Sequence, residues 1–133
     1  MLFTRECDYA VRIMRALAGG GIVSVQEICS RENITVSITY KITRKLEKAG
    51  LIKSYRGTNG GYELNRSLAD LTLYDVFTVI DPELQITECV SHSHACSQNT
   101  CGRPCRVHGE FCRLQKLLEQ ELKAVPLSEL LKG

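Results

Sequence analysis

Residues 38–64 read ITYKITRKLEKAGLIKSYRGTNGGYEL. Ile38, Ile42 and Leu46 recur every four residues, which predicts a helix over about 36–49 with Gly50 closing it. Its other face carries Ser37, Tyr40, Lys41, Arg44, Lys45 and Lys48. Two β-prone runs follow, at 51–55 and 62–65. They flank Arg56-Gly57-Thr58-Asn59-Gly60-Gly61, whose Asn-Gly step signals a hairpin turn.

Upstream, Val11, Ile13, Met14 and Leu17 mark a helix over 8–18, ended by Gly19-Gly20-Gly21. Ser24-Val25-Gln26-Glu27 has the S-x-x-E form of a capping box and opens a short second helix. The chain then turns near Asn33. Helix, helix, helix, hairpin is the order of a winged helix-turn-helix. Downstream, Thr72 can cap a helix carrying Leu73, Val76, Phe77 and Ile80, which Pro82 stops. A Cys/His-rich loop follows, then a long helix with Phe111, Leu114, Leu117, Leu118, Leu122 and Val125 on one side. Pro126 breaks it before a last short helix over 127–131.

The expected fold is mainly α with a small β-hairpin. A winged helix-turn-helix occupies 1–81, a Cys/His loop 82–108, and a dimerisation helix with a C-terminal helix 109–133, all in one compact domain. The long apolar stripe suits either a core helix or a dimer seam. Reading a two-fold operator takes two copies, which favours the seam and a homodimer.

At 133 residues the chain has the size of one domain, and 44% hydrophobic residues suffice for a packed core. No apolar run nears the roughly 18 residues that span a bilayer, and residues 1–12 lack a hydrophobic signal core. The expectation is a cytoplasmic protein without a membrane partner. Residues 1–66 hold 11 Lys/Arg against 6 Asp/Glu, whereas residues 67–133 hold 6 against 9. The basic half peaks between Lys41 and Arg56, as in either a phosphate-facing surface or a solvated helix face.

In a helix-turn-helix the second helix enters the major groove, and residues in its N-terminal half reach base edges. Here those are Ser37, Thr39, Tyr40 and Lys41. Arg44 lies on the same face, and Lys45 and Lys48 reach phosphates, which position without reading sequence. Arg56 sits among glycines at the hairpin and suits a narrow minor groove, or else an ordinary turn. Double-stranded promoter DNA is the expected partner. Tyr62 packs the wing onto the body.

Between Cys89 and Cys112 stand five of the seven cysteines and all three histidines, spaced C-x6-C-x4-C-x3-C-x6-C. In a reducing cytosol this density points to a metal or redox centre rather than a disulfide scaffold, and seven cysteines cannot all pair internally. The zinc-ribbon C-x2-C spacing is absent, yet zinc with mixed Cys/His ligands stays open, as does a thiol switch. Cys105 and His108 could form a catalytic pair, but no orienting partner, phosphate cradle or oxyanion signature accompanies them. Neither an enzyme nor a small-molecule substrate is expected.

The segments FTRECDYAVR (3–12), residues 38–64 and LTLYDVFTVID (71–81) resemble the Rrf-two family of bacterial winged-helix regulators, in its cysteine-bearing, IscR/NsrR/RirA-like branch. The resemblance spans nearly the whole chain. It implies a dimeric, DNA-binding transcription regulator whose promoter affinity is set by an iron–sulfur cluster, [2Fe-2S] or [4Fe-4S]. Cluster-bearing members use three loop cysteines, the last just before the long helix and opening a terminal C-x-x-H, to which Cys105-Arg106-Val107-His108 is similar. That implies Cys89, Cys96 and Cys105 as ligands, with His108 at the position used by IscR-like members. Asp8 matches the position from which NsrR-like members donate a carboxylate from the other subunit. Cys101 is extra to the pattern and could replace Cys96 or Cys105. Cys112 reads as a buried helix residue, Cys29 as core, and Cys7 as preceding the first helix. His92 and His94 read as exposed or beside the site. The alternative reading is a metal-free or zinc-bearing regulator acting through a thiol switch or a protein partner, as in CymR-like members that lack the three cysteines.

Overall fold

Three hydroxyl side chains start the first three helices. Thr4 accepts the Cys7 N–H at the head of α1 (Arg5–Leu17). Ser24 accepts the Glu27 N–H at the head of α2 (Val25–Glu32). Thr35 accepts the Ile38 N–H at the head of α3 (Val36–Lys48). Each cap satisfies a backbone donor that lacks a partner within the helix. The computed structural model describes residues 2–132.

After α3, Gly50 turns the chain at φ 80° into β1 (Ile52–Tyr55), which pairs antiparallel with β2 (Gly61–Leu64), Ile52 opposite Leu64 and Tyr55 opposite Gly61. Tyr62 bonds Val23 in both directions, at 2.8 and 2.9 Å. This ties the wing to the linker between α1 and α2. A Cβ on Gly61 would lie 2.2 Å from the Val23 carbonyl oxygen, so the close approach requires glycine there. A 3-10 turn (Leu68–Asp70) leads into α4 (Leu73–Ile80), where Asp75 accepts the Thr72 N–H at 2.8 Å. A second 3-10 turn (Glu88–Val90), α5 (Arg106–Leu122) and α6 (Leu127–Leu130) complete the chain.

Ala10, Ile13, Met14 and Leu17 of α1 pack on Ile28, Ile42, Leu46, Val76 and Leu71 in the main core. Leu127 is fully buried in the same cluster, and its N–H donates to the Leu71 carbonyl at 2.8 Å. The C-terminal turn thus locks onto the winged-helix body. A second cluster joins Cys7, Phe77, Leu84 and Leu122, with the Phe3 and Phe77 rings 4.7 Å apart. Between α1 and α2, Arg15 holds the buried Glu32 carboxylate through both oxygens, at 3.0 and 2.5 Å.

The fold agrees with the expected order of elements, and three details differ. α1 begins at Arg5 rather than near residue 8, because Thr4 caps it and Glu6 and Asp8 favour its positive N-terminal end. Cys7 therefore lies within α1 and is buried, rather than preceding the helix. Cys29 is partly exposed rather than core, with its sulfur 3.3 Å from the Thr39 hydroxyl. α5 opens at Arg106 and ends at Leu122, so Val125 falls beyond it.

Candidate nucleic-acid interface and metal centre

α3 presents Ser37, Tyr40, Lys41, Arg44 and Lys48 to solvent, with Lys45 partly covered. Thr39 must be withdrawn from the base-reading set. It is fully buried, and its hydroxyl donates to the Thr35 carbonyl at 2.9 Å. Thr43 is buried one turn on and bonds the Thr39 carbonyl at 2.7 Å. The buried stripe of α3 is Thr39, Ile42, Thr43 and Leu46, rotated away from the expected Ile38–Ile42–Leu46 line. Threonine fits because each hydroxyl is satisfied within the helix while its methyl packs inward.

Arg56 is exposed on the wing. An open groove runs between the wing and the helix pair, lined by Gln26, Tyr40, Ser54, Arg56 and Thr58. Gln26, exposed in the first turn of α2, is an amide beside this groove that sequence reading passed over. Sequence reading also missed Glu6. Its carboxylate lies 2.5 Å from Lys41 Nζ and 3.0 Å from Lys45 Nζ. These two ammonium groups, Lys41 first, hold the Glu6 carboxyl below its ordinary range.

The cysteine site forms where the loop meets the start of α5. The second 3-10 turn carries Cys89, and Cys105 occupies the N-cap of α5 with its N–H bonded to Asn99 Oδ1 at 2.9 Å. His108, in the first turn, stands between two sulfurs. Its Nδ1 lies 3.2 Å from Cys89 Sγ and its Nε2 lies 3.4 Å from Cys112 Sγ. Partial burial raises the Cys89 thiol above its ordinary value, and the nearby Cys105, Cys96 and Cys112 thiols raise it further. Two thiols, Cys89 and Cys112, thus flank one imidazole.

Among the described residues, no three His, Cys, Asp or Glu side chains converge closely enough to hold a metal ion. The contacts of the site are pairwise. Cys101 is exposed, and His92 and His94 are exposed as expected. Cys112, expected to be buried in the helix, is instead partly exposed and joins the site. Asp8 is exposed on α1 and pairs with Arg12 at 2.9 Å.

Gln115 fastens the loop to α5. Its Nε2 donates to the Leu84 carbonyl at 2.8 Å, and its Oε1 accepts the Ile86 N–H at 2.9 Å. Two residues before Cys89, the Thr87 hydroxyl is buried and has no hydrogen-bond partner among the described residues. Thiols beside an imidazole are the donor types that suit a soft metal or an iron–sulfur group.

A family profile, Rrf2, described as Iron-dependent Transcriptional regulator, matches residues 3–133. The HTH-type transcriptional regulator IscR of Vibrio atlanticus (strain LGP32) is 31% identical over 135 residues, covering 99% of this chain and 76% of its own. The solved structure of T. potens IscR is similar with a TM-score of 0.74 at 26% identity, over 97% of this chain and 85% of that one. The structure of CymR, the global cysteine regulator of B. subtilis, has a TM-score of 0.75 at 23% identity, over 97% of this chain and 95% of its own. The CymR likeness is one of fold alone.

Proposed function

Because the chain belongs to the Rrf2 family of transcription regulators, we propose that it binds promoter DNA as a homodimer with an affinity set by an iron–sulfur cluster at the cysteine site. It is a regulator and not an enzyme. Among the described residues no helix is long and apolar enough to cross a membrane.

One observation carries the cluster reading. Cys89 and His108, nineteen residues apart in sequence, meet at 3.2 Å at the head of α5. Cys89, Cys96 and Cys105 would hold the group, with His108 as the fourth ligand and Asp8 and Cys101 as alternatives. A bound cluster would supply a centre that responds to iron supply, nitric oxide or oxidants.

The chain's own residues give that centre a route to DNA. Cys105 stands at the N-cap position of α5, and Gln115 pins residues 84–86 to the same helix. Leu84 packs with Phe77 of α4, Cys7 of α1 and Leu122 of α5. Along α1, Glu6 meets Lys41 and Lys45 of α3. A change in how the loop holds α5 therefore bears on the tilt of the DNA-facing helix through continuous contacts. The two states must differ in free energy for the cluster to act.

At the DNA, Ser37, Tyr40 and Lys41 face base edges, Arg44, Lys45 and Lys48 face phosphates, and Arg56 enters the minor groove. Leu114 and Leu117 of α5 are exposed and would form the seam between copies.

Iron and acid-labile sulfide assays on anaerobically isolated protein test this reading. Both in stoichiometric amounts are expected. Zinc without sulfide, or neither metal, contradicts it and favours the regulator that works by a thiol switch or a protein partner.

A further inference from the structure

α3 buries two threonines, Thr39 and Thr43, while it exposes a valine and a tyrosine. Val36 is 48% exposed and Tyr40 is 51% exposed. They stand four residues apart, one turn above the other on one face of the helix. Single exposed apolar side chains are ordinary, but a neighbouring pair on the helix that faces DNA calls for an apolar partner. The exposed arc of α3 also has two unlike edges. On one, Lys41 and Lys45 meet Glu6 of α1. On the other, Glu47 accepts the Ser54 hydroxyl of β1 at 2.5 Å, and Tyr40 lines the open groove beside the wing with Arg56 and Thr58. Val36 lies one turn before Tyr40 on this wing-side edge, away from Lys41 and Lys45.

We propose that Val36 and Tyr40 form an apolar contact for the C5-methyl group of thymine, and that this contact sets part of the operator's sequence preference. The inference rests on the DNA-binding reading above and deepens it. The chemistry points to one occupant. Phosphates and hydrogen-bonding base edges offer nothing to a valine side chain, and the thymine methyl is the apolar group that the major groove displays. The tyrosine ring adds area to the same contact. Ser37 and Arg44 on the same arc supply polar contacts, so the methyl contact adds the distinction of a thymine from the other bases. Taking one methyl out of water is worth about three- to fourfold in affinity.

The test removes the methyl alone. Anaerobically isolated wild-type protein selects a preferred operator from a pool of randomised synthetic duplexes at fixed salt. Each thymine of that operator is then replaced by uracil, which lacks the methyl and keeps every hydrogen-bonding group. The duplexes carry no methylated cytosine, so thymine alone supplies the methyl. Uracil at the contacted position is expected to weaken wild-type binding about three- to fourfold. In Val36→Ser and Tyr40→Ser this ratio should fall toward one, whereas Tyr40→Phe keeps the ring and should keep the ratio. Lys48→Ala should weaken binding to both duplexes and leave the ratio unchanged. An operator with no uracil-sensitive thymine overturns the inference. So does a ratio that persists in both serine variants, as an effect of the methyl on DNA shape would. Loss of the ratio in Tyr40→Phe also overturns it, because the hydroxyl and not the ring is then the reader. In these three cases the DNA-binding reading stands. Wild-type protein that enriches no duplex from the pool overturns both.

Discussion

The carboxylate of Glu6 lies 2.5 Å from the ammonium of Lys41, and Lys45 joins the same carboxylate at 3.0 Å. An acid from α1 thus occupies two cations of the helix that faces DNA. In a complex, a phosphate competes with Glu6 for Lys45, and a base edge competes for Lys41. Glu6→Gln should raise affinity for DNA of any sequence, and the log–log salt slope should steepen by about one. Fluorescence anisotropy across a salt series measures both. An unchanged slope means Lys45 does not contact phosphate.

The same pair predicts a pH dependence. The folded-state value of Glu6 lies below the ordinary 4.5, with the Lys41 contact as the leading cause. A depressed carboxyl contributes stability above its unfolded value, and that stability is lost as pH falls through the lower folded value. Wild type and Glu6→Gln should differ in urea midpoint at neutral pH and converge in acid. A difference that persists in strong acid argues against the pairing.

Thr39 and Lys48 separate burial from DNA contact. Thr39→Val keeps a β-branched shape in a fully buried position, so operator affinity should stay within about twofold. Lys48→Ala should weaken binding to all sequences and reduce the salt slope by about one. Loss of sequence preference in Thr39→Val would restore Thr39 to the reading face.

Arg15 neutralises a Glu32 carboxylate that is only 5% exposed. Arg15→Ala strands that charge. Breaking a fully buried pair costs about 3–5 kcal/mol, and the half-exposed arginine reduces this to about 2 kcal/mol. Urea denaturation of the two proteins reads the difference. A midpoint equal to wild type shows that water reaches Glu32.

Gln115→Ala removes the partner of both the Leu84 carbonyl and the Ile86 N–H. Leaving such groups unpaired costs about 1–3 kcal/mol each when water cannot replace the bond. Amide hydrogen exchange at residues 84–90 should speed up, while exchange in α3 should not change. Wild-type protection at residues 84–90 would show that the loop is held elsewhere.

Much of the architecture was legible because its signals are local. The four-residue stripe of α3, the Ser24 capping box and the Asn59-Gly60 turn each need only neighbours in sequence. Thr39 misled because a buried threonine reads as polar until its hydroxyl is traced to the preceding turn. The head of α1 was missed because its leading residues are polar and only Thr4 marks the start. At the cysteine site, density and spacing located the centre but not its geometry. Cys89 meets His108 across nineteen residues, and Gln115 reaches Leu84 across thirty-one. No pattern of nearby residues encodes such pairings. Cys112 was discounted for lying within a helix, although four residues from His108 is the spacing that brings the two side chains together.

Operator affinity measured with and without the cluster tests the central claim most directly. Anaerobic protein carrying iron and sulfide, the same protein stripped by a chelator, and Cys89→Ala are titrated onto one operator at fixed salt. The stripped protein and Cys89→Ala should agree with each other and differ from the loaded protein by about fivefold or more. Equal affinity in all three, with folding and dimerisation intact, would contradict it.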